Sequence, residues 1–257
     1  MTGIKKALIA VTSYHGDFYP DGKKTGIFVV EALHPFEVFI ANGYQVDIVS
    51  ETGNYGWDEH SLVEPYLIGK DLQIFKDKSS AFQKAMTNIK SPDQINSAEY
   101  EIFFASAGHG TLFDYPKAKG LQKLASDIYD NGGVVGAVCH GFAIFDGLVD
   151  KQTGKPLIEG KAYTGFTSIG EKLLKIEDVM KEKKLLFVED LGKKYNAKYL
   201  APLGPWDDFS ITDGRVVTGV NPQSAHTTAL RCIKALKEKH GHHYDASTMK
   251  KPQTAVS

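Results

Sequence analysis

One stretch of the chain sets a nucleophile where it could be used. Gly132-Gly133-Val134-Val135-Gly136-Ala137-Val138-Cys139-His140-Gly141 runs from a glycine turn through a short apolar segment directly into Cys-His-Gly. A buried strand that meets a helix with no loop between them must turn sharply. The small residues Gly136, Ala137 and Gly141 permit such an elbow, which would push the Cys139 side chain out at the carboxyl edge of a sheet. There the thiol would lie near the positive end of the following helix and beside His140, and both would draw its pKa down toward thiolate. The other reading of a free cysteine is a small buried hydrophobe. Cys232 reads that way, because it shares one helical face with Ala225, Ala229 and Leu236.

Three more groups could join the thiol. Glu31 stands inside Ile27-Phe28-Val29-Val30-Glu31-Ala32-Leu33, a run that buries most of a helix surface. Desolvated there, its carboxyl would exchange protons near neutrality; equally open is a carboxylate paired with Lys or Arg, or turned to solvent. His34, one turn on, reads as structural. Ser106-Ala107-Gly108-His109-Gly110 follows an apolar strand, and its glycines would let backbone N–H groups face an oxyanion. Glu171 either orients His140 or is an acid favoured at a helix start by the macrodipole; the residue pattern alone favours the second. Trp57-Asp58-Glu59-His60 and Pro205-Trp206-Asp207-Asp208 could line a pocket or form turns. His240, His242 and His243 lie in a stretch that offers a metal no preorganised geometry. The sequence has no Walker-type loop, GxGxxG or cysteine pair at zinc spacing.

Alternating elements must position these groups. Strands are expected at Lys6–Thr12, Gln45–Ser50, Glu101–Ser106, Val134–Val138, near Ala162–Phe166, and in short pieces near Leu185–Val188 and Ile211–Val217. Helices are expected over Gly26–Gly43, Lys117–Asn131, from about His140, near Ile169–Lys183 and over about Pro222–Lys239. Strands separated by helices imply a mainly parallel sheet covered on both faces, an α/β fold. One domain over 1–239 is expected, with a turn-rich insertion at about 51–100, a loop excursion at Gly147–Gly160 and a flexible tail over 240–257.

Bulk properties narrow the function classes. The chain has 257 residues, 42% hydrophobic and 24% charged, with a formal net charge of −1. Nothing in that balance favours nucleic acid or an anionic membrane. No apolar run approaches the roughly 18–20 residues of a membrane span. The first residues enter a strand-like run with no secretory pattern, so a cytoplasmic protein with two unpaired cysteines is expected.

Cys139-His140-Gly141, Gly108-His109-Gly110 and Glu31 together resemble the PfpI superfamily. Within it the chain is most similar to the heat-shock chaperone group that also has glutathione-independent glyoxalase (glyoxalase III) activity. The resemblance runs through Leu8–Tyr14, Lys24–Pro35, Ser50–His60, Phe103–Lys119, Gly132–Gly147 and Ala201–Pro222, with SETGNYGWDEH and FFASAGHGTLFDYPKAKGL as long specific strings, and covers about residues 5–237. It implies a flavodoxin-like three-layer sandwich, a catalytic set of Cys139, His140, Glu31 and Glu171, and oxyanion donors on the backbone of Gly108 and His140. It implies conversion of methylglyoxal and related small 2-oxoaldehydes to 2-hydroxy acids such as lactate, with no cofactor and no metal, in a homodimer. The alternatives it carries are a stress-response holdase that binds unfolded client proteins, and a protein deglycase using the same fold. A cysteine peptidase would also fit a Cys-His-acid set. Glutamine amidotransferases share the elbow, but no His-x-Glu follows Cys139. One departure stands out: Phe142 occupies the position where members usually carry Pro after Cys-His-Gly, which bears on the shape of the pocket.

Overall fold

The computed structural model describes residues 4–238. Its strands are β1 (Lys6–Ala10), β2 (Gly16–Asp17), β3 (Lys24–Thr25), β4 (Gln45–Val49), β5 (Ile102–Ala105), β6 (Val134–Val138), β7 (Ala162–Tyr163), β8 (Lys198–Tyr199), β9 (Ser210–Asp213) and β10 (Val216–Gly219). Its helices are α1 (Val29–Ala41), α2 (Gly69–Lys76), α3 (Ala81–Thr87), α4 (Thr111–Asp114), α5 (Lys119–Asp130), α6 (Ser168–Leu173), α7 (Glu177–Glu182), α8 (Val188–Lys194) and α9 (Ala225–Lys237). Six strands form the central sheet in the order β4-β1-β5-β6-β10-β9, parallel throughout except for β9 at the edge.

The order of connections explains the layers. The chain moves from β1 to β4 in one direction and from β5 to β6 in the other. Right-handed crossovers then put α1 and α5 on opposite faces. α9 packs beside α1 on the first face. Every residue of β5 and β6 is buried, as strands covered on both sides require. The direction reverses between β1 and β5, so the carboxyl ends of these central strands open onto the crevice where such sheets bind ligands.

The structure corrects several expected elements. The segment after the elbow is a buried 3-10 stretch, Cys139–Phe145, not the start of an α-helix. Ile169–Lys183 is two helices, α6 and α7, parted near Lys175, which takes a φ of 57°. No strand forms near Leu185–Val188, where α8 begins. Ile211–Val217 folds into the β9–β10 hairpin because Asp213-Gly214 turns the chain, with Gly214 at φ 59°. Ala162–Phe166 yields only β7, which pairs with β8 outside the central sheet. The expected tail and its three histidines lie outside the described residues. The stretch 51–100 does hold short helices. Its aromatics turn inward: Trp57 packs edge-on against Tyr55 and Phe75, and Phe82 is buried against Phe36.

Candidate active site

Cys139 follows β6 without a loop and takes a φ of 57°. A non-glycine residue held there is strained, and the surroundings must enforce it. Gly141 allows the turn to lie against β5, since a Cβ at that position would stand 2.5 Å from the Ala105 carbonyl oxygen. Gly108 does the same for the neighbouring loop. It takes a φ of 125°, and a Cβ there would stand 2.0 Å from the Gly26 carbonyl oxygen. That close approach brings the segment entering α1, and with it Glu31, against the β5 loop. The Thr111 hydroxyl then ties the two loops together, lying 2.9 Å from the Gly108 carbonyl and 2.8 Å from that of His140.

The elbow, the β5 loop and the first turn of α1 close around a cavity of about 80 Å³. Cys139, His140, Glu31, Gly108 and His109 line it, together with Tyr19, His60, Tyr66, Phe166 and Trp206. Cys139 Sγ lies 3.2 Å from His140 Nδ1, and His140 Nε2 lies 2.5 Å from Glu171 Oε1. Glu171 stands in the first turn of α6, yet it faces inward and is buried, so its role there is the pair with His140 and not a solvent-side contact with the helix dipole. Its second oxygen lies 2.9 Å from His109 Nε2.

Glu31 is 0% exposed. Neither of its oxygens finds a hydrogen-bond partner of full geometry, and the polar side chain it faces is the Cys139 thiol. Among the described residues no Lys or Arg forms an ion pair with it. Burial pushes its carboxyl well above the usual carboxylate range; the contact with the Cys139 thiol offsets part of this, and the charge of Asp58 adds to the rise. The carboxyl is thus poised to hold a proton and to take one back.

The expected thiolate is corrected. Burial pushes the Cys139 thiol well up, the charge and hydrogen bond of Glu31 push it further, and the backbone N–H of His140 offsets only part of this. His140 is not the cation that would lower it. Burial and the charge of His109 bring that ring down to about 4, against the opposing pull of Glu171. Burial alone would raise Glu171, but the two imidazoles outweigh it and hold the acid at about 2. The resting arrangement is therefore a thiol facing a neutral ring whose Nδ1 accepts its proton, with Glu171 ionised behind.

Phe142 does not narrow the cavity. It is buried beneath the elbow, stacked on Tyr163 with ring centroids 4.3 Å apart, and Phe145 lies beside it at 5.1 Å. Cys232 is buried in α9 against Gly136, as a core residue. His34 pairs with Asp71 at 2.7 Å, away from the site. Of the two clusters around a tryptophan, His60 and Trp206 line the cavity and Asp58 accepts from Tyr19 behind it, whereas Trp57 packs into the insertion. Sequence reasoning missed His109 and Tyr19. The signal for His109 lay inside Gly108-His109-Gly110, which was read only for its backbone. His109, His140 and Glu171 have ligand atoms within 4.8 Å of one another and the composition of a two-histidine, one-carboxylate metal site. In this arrangement both carboxylate oxygens already accept from the rings.

Comparison with known proteins agrees with the fold. The sequence profile of the DJ-1/PfpI family matches residues 25–235. The chain is 65% identical over 233 residues to the glutathione-independent glyoxalase HSP31 of Saccharomyces cerevisiae, covering 91% of this chain and 98% of that protein. It is 56% identical over 232 residues to glyoxalase 3 of Candida albicans, covering 90% and 98%. The crystal structure of glyoxalase III from Candida albicans superposes with a TM-score of 0.88 at 57% identity, over 90% of this chain and 97% of that one. Drosophila melanogaster DJ-1beta, at 14% identity and a TM-score of 0.52 over 92% and 96%, shares the fold.

Proposed function

The chain belongs to the DJ-1/PfpI family, and on that premise we propose that it is a glutathione-independent glyoxalase acting on methylglyoxal and similar small 2-oxoaldehydes. The observation that carries this reading is the fully buried Glu31 carboxyl, which faces the thiol of a strained Cys139 in the same small cavity and has no hydrogen-bond partner of full geometry. A buried acid so poorly satisfied costs stability, and a proton-transfer step is what would use it. The cavity of about 80 Å³ suits a molecule of a few heavy atoms. It is far below the roughly 300–1,000 Å³ of pockets for larger ligands, which disfavours a peptidase or a deglycase acting on protein side chains.

In the reaction, Cys139 sulfur adds to the aldehyde carbon while its proton passes to His140 Nδ1 and the new alkoxide takes a proton from Glu31. The product is a hemithioacetal, with Glu31 now ionised beside C1. Glu31 removes the C1 proton, and charge moves to the oxygen on C2, where His140 delivers its proton. The resulting enediol takes the Glu31 proton at C2 and loses the C1 hydroxyl proton to His140. This leaves a thioester of a 2-hydroxy acid: C1 has been oxidised and C2 reduced, with no external electron acceptor. Water then cleaves the thioester, restoring the thiol. The backbone N–H groups of Gly108 and His140 are assigned to the developing oxyanions. Two unbonded cysteines suit the reducing cytosol, and a homodimer is the assembly that the family resemblance implies.

The test is loss of methylglyoxal without glutathione by wild type, Cys139→Ala and Glu31→Gln. Wild type should turn over and both variants should fall to near background; equal rates in all three sink the reading. A holdase role is favoured by one separate observation. Ile169, Leu173 and Leu203 are 64%, 59% and 86% exposed, and exposed apolar side chains are what a holdase would offer an unfolded client. Aggregation suppression that survives Cys139→Ala but falls in Leu173→Ser/Leu203→Ser would belong to that surface.

A further inference from the structure

Glu171 serves two imidazoles, and their surroundings differ. His140 donates from Nε2 to one Glu171 oxygen, while its Nδ1 faces a thiol, a group with a proton to give. His109 has no such neighbour. Its Nε2 lies 2.9 Å from the other Glu171 oxygen, and its Nδ1 lies 3.4 Å from the Tyr19 hydroxyl oxygen. Tyr19 has a single proton, and that proton goes to Asp58 Oδ2 at 2.7 Å. Asp58 itself already accepts from Thr25 and from the backbone of His60 and Ser61. Both nitrogens of His109 therefore face acceptors, and a ring that donates from both is an imidazolium.

We propose that His109 is a positioning residue for the thiol chemistry: its charged ring takes one Glu171 oxygen, neutralises that carboxylate, and so reserves His140 as the neutral ring whose Nδ1 receives the Cys139 proton. The two rings stand 3.9 Å apart, too close for both to carry a charge at little cost. The direction for His140 agrees: burial lowers it first, and the charge of His109 lowers it further. The charged and titratable groups facing the pair are Glu171 from α6, Cys139 from the elbow, Glu31 from α1, Tyr19 from the β2–β3 hairpin and Asp58 behind it. His60 is stacked on Tyr19 with centroids 3.7 Å apart and pairs outward with Asp21. Without His109, Glu171 would act on His140 alone, which would then hold a proton at higher pH and lose its capacity as acceptor.

The rate part of the test rests on the glyoxalase reading; the other two parts do not. Ring 15N spectra of the wild-type protein at pH 7 should show both His109 nitrogens protonated and only one of His140. In His109→Gln, which keeps a neutral N–H donor, the acid limb of Cys139 alkylation by iodoacetamide, located by mass spectrometry, should move up by about one pH unit or more. The acid limb of kcat/KM for methylglyoxal should move with it. A His109 ring with a single proton at pH 7 overturns the proposal, as does an unmoved alkylation limb in folded His109→Gln. Should that variant fail to fold, the wild-type ring spectrum decides alone. A moved alkylation limb in a protein without turnover would uphold His109 and remove the glyoxalase reading.

Discussion

Replacing Glu31 by leucine should make the protein more stable and nearly inactive. The carboxyl is 0% exposed and its oxygens lack full hydrogen bonds. Leaving a buried polar group unsatisfied costs about 1–3 kcal/mol. Leucine is close in volume, and an imperfect fit takes back less than about 1.5 kcal/mol. A net gain of about 1–2 kcal/mol in Glu31→Leu would raise Tm by roughly 2–8 °C, at about 2–4 °C per kcal/mol for a protein of this size. The gain must also depend on pH. The folded state holds the Glu31 proton well above its ordinary 4.5, so the unfolded chain releases that proton first. Wild-type stability from this group is therefore present below pH 4.5 and lost as pH rises toward the raised folded value, at no more than about 1.4 kcal/mol per pH unit. The gap between Glu31→Leu and wild type should widen from pH 5 to pH 8. Calorimetry at both values measures it, and methylglyoxal turnover should fall by about 10²–10⁴. A variant that melts below wild type at pH 8, or a gap equal at both pH values, refutes the reasoning.

The pH dependence of kcat/KM should follow a depressed histidine. His140 at about 4 stays neutral through mildly acidic pH, so activity should hold near its plateau at pH 5.5; an acid limb near 6.5 would contradict this. Phe142→Pro should leave the rate little changed, because Phe142 packs on Tyr163 outside the cavity, but should cost about 3 kcal/mol or more of stability. A large rate change without loss of stability would place Phe142 in the site instead. Gly108→Ala combines a strained φ with a 2.0 Å clash, each worth about 1–3 kcal/mol. Its urea midpoint should fall accordingly, and an unchanged midpoint would mean that the loop relaxes freely.

The elbow was legible in the sequence because its cause is local. Val134–Val138 is a run of small and β-branched residues that meets Cys-His-Gly without a spacer, and covalent continuity forces the turn. The central parallel strands were legible for the same reason, since burial on both faces writes a continuous apolar run. The region from Ala162 to Val217 was not. Its short elements are decided by Lys175, Gly214 and contacts with distant parts of the chain, and a period of two or 3.6 has no room to develop there. For Glu31 the sequence by itself determined an acid in an apolar helix; whether it was paired, solvated or orphaned waited on what α1 packs against. The protonation states of the site belonged to tertiary structure altogether. Helix position and a neighbouring histidine argue for a thiolate, but desolvation and charges brought in from α1, α6 and the β5 loop reverse the sign at Cys139 and His140. Those effects act through space, and residues as far apart in sequence as Tyr19, His109 and Glu171 become neighbours only when the sheet brings its carboxyl ends together.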